Sequence, residues 1–214
     1  MTDRILVTAG PTREPIDPIR FLSNRSTGKM GFSIAEVAAE RGHQVRLIAG
    51  PVGLSTPPGV ERIDVITAEE MHQAVASHFK WCKVLLMVAA VSDWRPATVS
   101  PKKLKKHNEE ESLRLVRTRD VLSSIKARKG ERIVVGFAAE SDHVEAEAVR
   151  KLNDKNLDMI VCNDVLQPDA AFESDTNRVV IFTRDGAREA LPLLLKKEVA
   201  VHILSRVEHE FMDV

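Results

Sequence analysis

A three-layer α/β fold, with a mainly parallel sheet covered by helices on both faces, is the fold class this sequence predicts. Two observations carry it. Short apolar runs of strand length alternate along the chain with segments whose apolar residues recur at helical spacing. One run, residues 84–91 (VLLMVAAV), is apolar without interruption, as expected of a central parallel strand buried on both faces. The 214 residues suit one α/β domain, and 43% hydrophobic content supplies a sizeable core. One domain spanning 1–214 is therefore the expectation.

Taken in order, residues 5–7 (ILV) read as the first strand. A helix starts near Gly31, with Ile34, Val37 and Ala38 on one face and Met30 just before. Residues 44–49 (QVRLIA) form a second strand, closed by Gly50-Pro51 and the turn-rich stretch 55–59. Residues 62–66 make a third. Thr67 with Glu70 three positions on is a capping box, and Met71, Ala74, Val75 and Phe79 give the helical face that follows. After the central strand come a short helix over 120–128 ending at Gly130, a buried strand over 133–137, a helix over 144–155 and a strand over 159–162. The chain closes with a strand over 178–183, a turn at Gly186, and a long helix whose Ala200, Ile203, Leu204, Val207 and Phe211 form one core stripe.

The segment between the first strand and first helix is too long to be a mere connector. It lacks apolar periodicity and carries Arg13, Arg20, Asn24, Arg25 and Lys29 with several hydroxyls. Helix-start N–H groups, approached closely at Gly28 and Gly31, suit a phosphate or carboxylate. Two familiar phosphate motifs are absent. Ser23 stands where a Walker A loop needs its first glycine and Met30 where it needs Ser or Thr, while residues 9–14 (AGPTRE) lack the dinucleotide glycine pattern. A bound anion is still the first expectation.

In such sheets ligands gather beyond the C-terminal ends of the strands, so the loops there are the next place to search. After the central strand stand Asp93 and then PATVSPKKLKK, residues 96–106, within a charge-rich segment reaching residue 111. Most such lysine runs are solvated surface. This one follows a buried strand closely and is bounded by prolines, so it can fold back over whatever binds there. Lys151 and Lys155, four apart, share a helix face and can aim two ammonium groups at one ligand.

Composition excludes more than it selects. Lys+Arg and Asp+Glu are both 31, giving no argument for nucleic acid or membrane partners. Cys82 and Cys162 have no metal or redox spacing and read as buried thiols of a reducing compartment. No signal segment opens the chain and no apolar run reaches membrane length, so a soluble, cytoplasmic protein is expected.

Read as a string, residues 8–14 (TAGPTRE), Asp17-Pro18-x-Arg20-Phe21, Ser23-Asn24 and residues 26–31 (STGKMG) resemble the phosphopantothenate–cysteine ligase family. Downstream, Ala89-Ala90-Val91-x-Asp93, then Lys103, Lys105 and Lys106, residues 136–140 (GFAAE), Asn156-Leu157-Asp158 and Asn163-Asp164-Val165 match it in order. One departure is Arg119 before Asp120, where the bacterial family commonly has Pro. The likeness is to the bacterial form, often the C-terminal half of a two-enzyme polypeptide; a stand-alone chain starting at Met1 is the expectation here.

The resemblance implies a Rossmann-like fold and condensation of 4′-phosphopantothenate with L-cysteine through an acyl-nucleotide, using CTP, with ATP the other candidate, and Mg²⁺. It gives Asn24 and Arg20 to the intermediate and Lys103 to activation of the substrate carboxylate. Gly10, Ser26, Gly28, Gly31, Ala89, Asp93, Lys103, Asp120, Phe137, Lys151 and Lys155 fall to the nucleotide, with Asp93 also at the metal. For Asp93 the bland alternative is a loop cap, and for Phe137 a core side chain. The resemblance further implies a homodimer with the 13–25 loop near or across the interface, and a functional link to phosphopantothenoylcysteine decarboxylase. Two rivals stand beside it. A dinucleotide-dependent reductase lacks its ribose-binding acid after the second strand, and a chain with zero Tyr has no Tyr-x-x-x-Lys site. A non-catalytic nucleotide or phosphopantothenate binding protein is separated only by turnover.

Overall fold

The structure, a computed structural model, describes residues 2–105, 112–140, 144–164 and 173–211. Lys106 and Val165 lie outside them. The chain opens with β1 (Arg4–Ala9), the short strands β2 (Arg13–Pro15) and β3 (Phe21–Ser23), and α1 (Lys29–Glu40). Next come β4 (Gln44–Ala49), β5 (Val60–Asp64), α2 (Ala68–His78) and β6 (Val84–Met87). The strands β7 (Trp94–Pro96) and β8 (Leu115–Arg117) precede α3 (Val121–Ile125), a 3-10 turn over Lys126–Arg128, β9 (Ile133–Glu140), α4 (Val144–Asp154) and β10 (Met159–Asp164). β11 (Thr176–Asn177), β12 (Val179–Thr183), β13 (Arg188–Ala190), β14 (Leu194–Leu195) and α5 (Lys196–Phe211) complete it.

The main sheet runs β13-β12-β10-β9-β6-β1-β4-β5. From β5 across to β10 along this order each neighbouring pair is parallel, while β12 pairs antiparallel with β10 and β13 antiparallel with β12. Numbered among themselves, the parallel strands run 3-2-1-4-5-6, the doubly wound Rossmann-like order whose switch point falls between β1 and β6. The expected α/β class is observed. Its three layers follow from the period of two along each strand: Ile5, Val7 and Ala9 of β1 pack with α1 and α5, while Leu6 packs with α2, α3 and α4. β6 divides likewise, Val84 and Leu86 to one face, Leu85 and Met87 to the other. The α5 stripe is core, as read from its spacing, with Ala200, Ile203, Leu204 and Val207 fully buried.

The capping box of α2 is present: Thr67 Oγ1 accepts the Glu70 N–H at 3.2 Å, and the Glu70 carboxylate accepts the Thr67 N–H at 3.3 Å. The buried Glu14 carboxylate adds a cap that the sequence did not reveal, accepting the Ala68 N–H at 2.8 Å and so fixing β2 against this helix. The third strand lies two residues earlier than expected, because the Ile66 N–H leaves the sheet for Glu70. The central strand is shorter than its apolar run. After Met87 the N–H groups of Val88 and Ala89 bond to the buried Thr8 hydroxyl, at 3.0 and 3.1 Å, instead of continuing the ladder.

The long loop after β1 is not structureless. β2 and β3 form a hairpin in the register Arg13↔Ser23, Glu14↔Leu22, Pro15↔Phe21. A second hairpin, β7 with β8, brackets the lysine-rich segment. The loop leaves β1 so close to Gly50 that a Cβ there would stand 1.9 Å from the Pro11 carbonyl oxygen. Gly50→Ala is therefore expected to destabilise the protein by about 3 kcal/mol or more, the upper range for forced overpacking. Denaturant unfolding measures this, and a midpoint equal to wild type would contradict it.

Candidate active site

A cleft of about 750 Å³ opens beyond the C-terminal ends of β1, β6 and β9, at the switch point. One wall is the start of α1. Gly28 adopts φ 80° at its N-cap, Gly10 φ 78°, and a Cβ on Gly28 would come within 3.3 Å of the Gly10 backbone. Gly31 is tighter still, since a Cβ would lie 2.6 Å from the Ala9 Cβ. These contacts bring the first turn of α1 onto the end of β1, with no side-chain cap and no acid in that turn. The N–H groups of Lys29, Met30 and Gly31 therefore border the cleft with the polarity an anion needs.

The floor is the loop after β6, held in place by side chains. Besides the Thr8 bonds, Thr12 Oγ1 accepts the Ser92 N–H at 2.9 Å, and the Thr118 hydroxyl donates to the Ser92 carbonyl at 2.6 Å. Ala89 and Asp93 line the cleft from this loop. The Asp93 side chain caps nothing among the described residues, so the loop-cap alternative is set aside. Asn24 stands at the edge, its Nδ2 donating to the Ala90 carbonyl at 3.0 Å, and the Ser26 hydroxyl accepts the Gly28 N–H at 3.3 Å.

The far wall comes from α3, β9 and α4. Asp120 caps α3 through the Ser123 N–H at 3.0 Å and pairs with Lys155 at 3.1 Å. Burial pushes its carboxyl up, but the Ser123 N–H and the Lys155 cation outweigh that and hold it below the ordinary value. The cap forms with Arg119 before it, so the departure from Pro leaves this turn intact; Arg119 lines the cleft 3.9 Å from Glu69. Lys151 and Lys155 both line the cleft, as their spacing implied, and Phe137 lies half-buried beside them, touching the core as well.

Two expected residues stand elsewhere in the chain. Arg20 does not line the cleft; its guanidinium is held by Asp17, with Nε–Oδ2 at 3.0 Å and Nη2–Oδ2 at 2.6 Å. Lys103 is exposed on the lysine-rich segment, also outside the cleft. Conversely, Lys196 lines it and was missed. In sequence it is half of a Lys196-Lys197 pair with nothing to mark which is buried; in the fold it is 6% exposed and bonds the Ser174 carbonyl.

Burial, aided by the nearby Lys29 cation and opposed by Asp175, pushes the Lys196 ammonium down to about 8. A bound polyanion favours the protonated form and raises that value, so binding should take up protons just above pH ~8. Calorimetry of inorganic triphosphate in buffers of different ionisation enthalpy is expected to show this uptake. Buffer-independent heats would remove Lys196 from the anion site.

Among the described residues no His, Cys, Asp or Glu cluster of three or more could cage a metal. A lone exposed Asp93 beside an anion cleft does fit Mg²⁺, which is commonly held by one carboxylate and the ligand's own phosphates. Cys82 and Cys162 are buried and unbridged, and burial pushes the Cys82 thiol up to about 11, which leaves it unreactive. No described helix is long and apolar enough to cross a membrane.

Fold and site together define a doubly wound α/β domain with a lysine- and glycine-lined cleft at its switch point. The chain belongs to the family described as DNA/pantothenate metabolism flavoprotein C-terminal domain, which it matches over residues 1–211. It is 46% identical over 207 residues to the coenzyme A biosynthesis bifunctional protein CoaBC of Escherichia coli (strain K12), covering 95% of this chain and 51% of that one. It is 46% identical over 204 residues to CoaBC of Bacillus subtilis (strain 168), covering 95% and 50%. The chain thus spans about half the length of these curated relatives. A crystal structure of the C-terminal domain of CoaBC superposes with TM-score 0.83 at 42% identity, over 97% of this chain and 94% of that one. The DNA/pantothenate metabolism flavoprotein from Streptococcus pneumoniae shares the fold, with TM-score 0.84 at 23% identity over 97% and 99%.

Proposed function

We propose that residues 1–214 form one phosphopantothenate–cysteine ligase domain of coenzyme A biosynthesis, cytosolic, with CTP as the nucleotide and Mg²⁺ as the metal. One observation carries the reading: residues from five separated stretches of the chain, Asn24, Ala89 with Asp93, Asp120, Phe137 and Lys155, meet in one cleft. The relatives named for coenzyme A biosynthesis support it.

The chemistry suits the cleft. A carboxylate that attacks a triphosphate meets severe like-charge repulsion, and its own substrate carries another phosphate. The α1 N–H groups and Lys29, Lys151, Lys155 and Lys196 line two walls of one cleft, with Lys29 paired to Asp175 and Lys155 to Asp120, an arrangement that suits negative charge as it develops. Mg²⁺ on Asp93 would supply further charge neutralisation of the phosphates. Phe137 offers a ring face to the base, and Asn24 a neutral donor to the acyl-nucleotide.

Incubation with phosphopantothenate, L-cysteine, Mg²⁺ and either CTP or ATP is expected to release pyrophosphate, faster with CTP. Release with neither would overturn the ligase reading, and nucleotide binding without turnover would leave a sensor in its place.

Arg20 and Lys103 enter through a second subunit in this reading. The two hairpins pack side by side and expose Ile19, Phe21, Val99, Leu104, Leu113 and Leu115. A second copy of the chain would cover these exposed apolar side chains. Sedimentation is expected to give a dimer. A monomer at micromolar concentration with full activity would remove this part.

A further inference from the structure

We infer that Asp17 is a positioning residue, whose carboxylate joins the tip of the β2–β3 hairpin to the lysine strap over residues 100–105 and thereby sets where Lys103 is presented. The inference rests on the ligase reading for what Lys103 does, and on geometry for how it is held.

Asp17 has no solvent-exposed side-chain surface, although it sits in a hairpin turn. Its two oxygens face different ways. Oδ1 accepts the N–H groups of Ile19 and Arg20, both at 2.9 Å, and so shapes the turn. Oδ2 accepts Nε and Nη2 of Arg20 and, at 3.1 Å, the N–H of Leu104, 87 residues away. Arg20 closes the ring, because its Nη2 also donates to the Leu104 carbonyl at 2.9 Å. Both backbone groups of Leu104 are therefore fixed by the Asp17–Arg20 pair.

The strap is held on the other side of Lys103 as well. The Ser100 N–H donates to the Ile16 carbonyl at 2.9 Å, and the Ser100 hydroxyl donates to the Lys102 carbonyl at 2.6 Å. Lys103 thus lies between two pinned neighbours while its own side chain stays exposed. An isolated strap holding Lys102, Lys103 and Lys105 would repel itself and sample many conformations. The Arg20 guanidinium holds the Asp17 carboxyl well below the usual carboxylate range, against the opposing effect of burial.

Asp17→Asn separates positioning from mere folding. An amide can still accept at the Oδ1 position, but its NH₂ opposes the three donors that met Oδ2. In the ligand-free protein, tryptic cleavage within residues 102–105 is expected to rise about tenfold as the strap opens, with the unfolding transition little changed. Pyrophosphate release without cysteine should fall by roughly 10²-fold, as for a misplaced reacting group. The discriminating arm is Lys103→Gln in each background. If Asp17 acts through Lys103, that change is costly in the wild type and nearly silent beside Asp17→Asn. Equal factors of loss in both backgrounds, or unchanged cleavage, would overturn the inference. Should Asp17→Asn not fold, Ser100→Ala releases the other pin and must show the same cleavage and the same non-additivity. A wild-type protein inactive with every nucleotide refutes the ligase reading separately, while the cleavage result still decides whether Asp17 holds the strap.

Discussion

Lys103→Gln is expected to lower pyrophosphate release without cysteine by ~10²–10³, the usual loss for one well-placed charge stabiliser. Lys102→Gln should change it little, since a lone exposed charge is typically worth under about 1 kcal/mol. Both side chains are exposed, so solvent access does not distinguish them. Their backbones do. Lys102 has its carbonyl bound by the Ser100 hydroxyl, and Leu104 is fixed by Asp17 and Arg20, leaving Lys103 as the exposed residue between two anchors. Gln keeps similar length and polarity, and removes only the charge. Lys103 lies outside the cleft of its own chain, so if the proposed dimer carries it to the other chain, mixing Lys103→Gln with a cleft variant should restore activity. Equal losses for both substitutions would mean a diffuse basic patch, and no loss with Lys103→Gln would mean that the family role does not transfer.

What was legible in the sequence was whatever repeats or stands adjacent along the chain. The apolar run Ile5-Leu6-Val7 marks a buried strand, the Thr67–Glu70 spacing is a complete cap, and Lys151 and Lys155, on one helix face, reach one cleft. Gly28 and Gly31 were readable as a close approach, although their partners, Gly10 and Ala9, were not. The two hairpins escaped because three-residue strands such as Arg13–Pro15 have no period to detect, and the second pair is separated by a long charged insertion. The 84–91 run is apolar beyond Met87, and apolarity does not say where a ladder ends. That end is set by Thr8, a residue of another strand. Lys196 was hidden for the same reason, since its burial depends on Ser174 and on the start of α1 rather than on its neighbours. Arg20 was legible as basic but not as bound: Asp17, three residues before it, claims the guanidinium once the turn closes.

Asn24→Asp is expected to uncouple activation from amide formation, with the acyl-nucleotide or its hydrolysis product accumulating while phosphopantothenoylcysteine falls by ~10²–10³. The side chain stands at the cleft edge with Nδ2 3.0 Å from the Ala90 carbonyl, which fixes the amide plane and leaves its other N–H for the ligand. A carboxylate at this position would set oxygen against the Ala90 oxygen and negative charge beside phosphate, so both the anchor and the clamp are lost. The fold should survive, because an exposed hydrogen bond of this kind is worth only ~0.5–1.5 kcal/mol. Asn24→Ala separates the two losses: it removes the donor without adding charge. If repulsion of the phosphoryl group matters, the Asp variant will be the slower of the two, and the gap will narrow as salt rises. Mass spectrometry of quenched reactions reads the intermediate directly. An Asp variant that makes product at the wild-type rate would end the argument for Asn24, and one that releases no pyrophosphate would move its role back to the activation step.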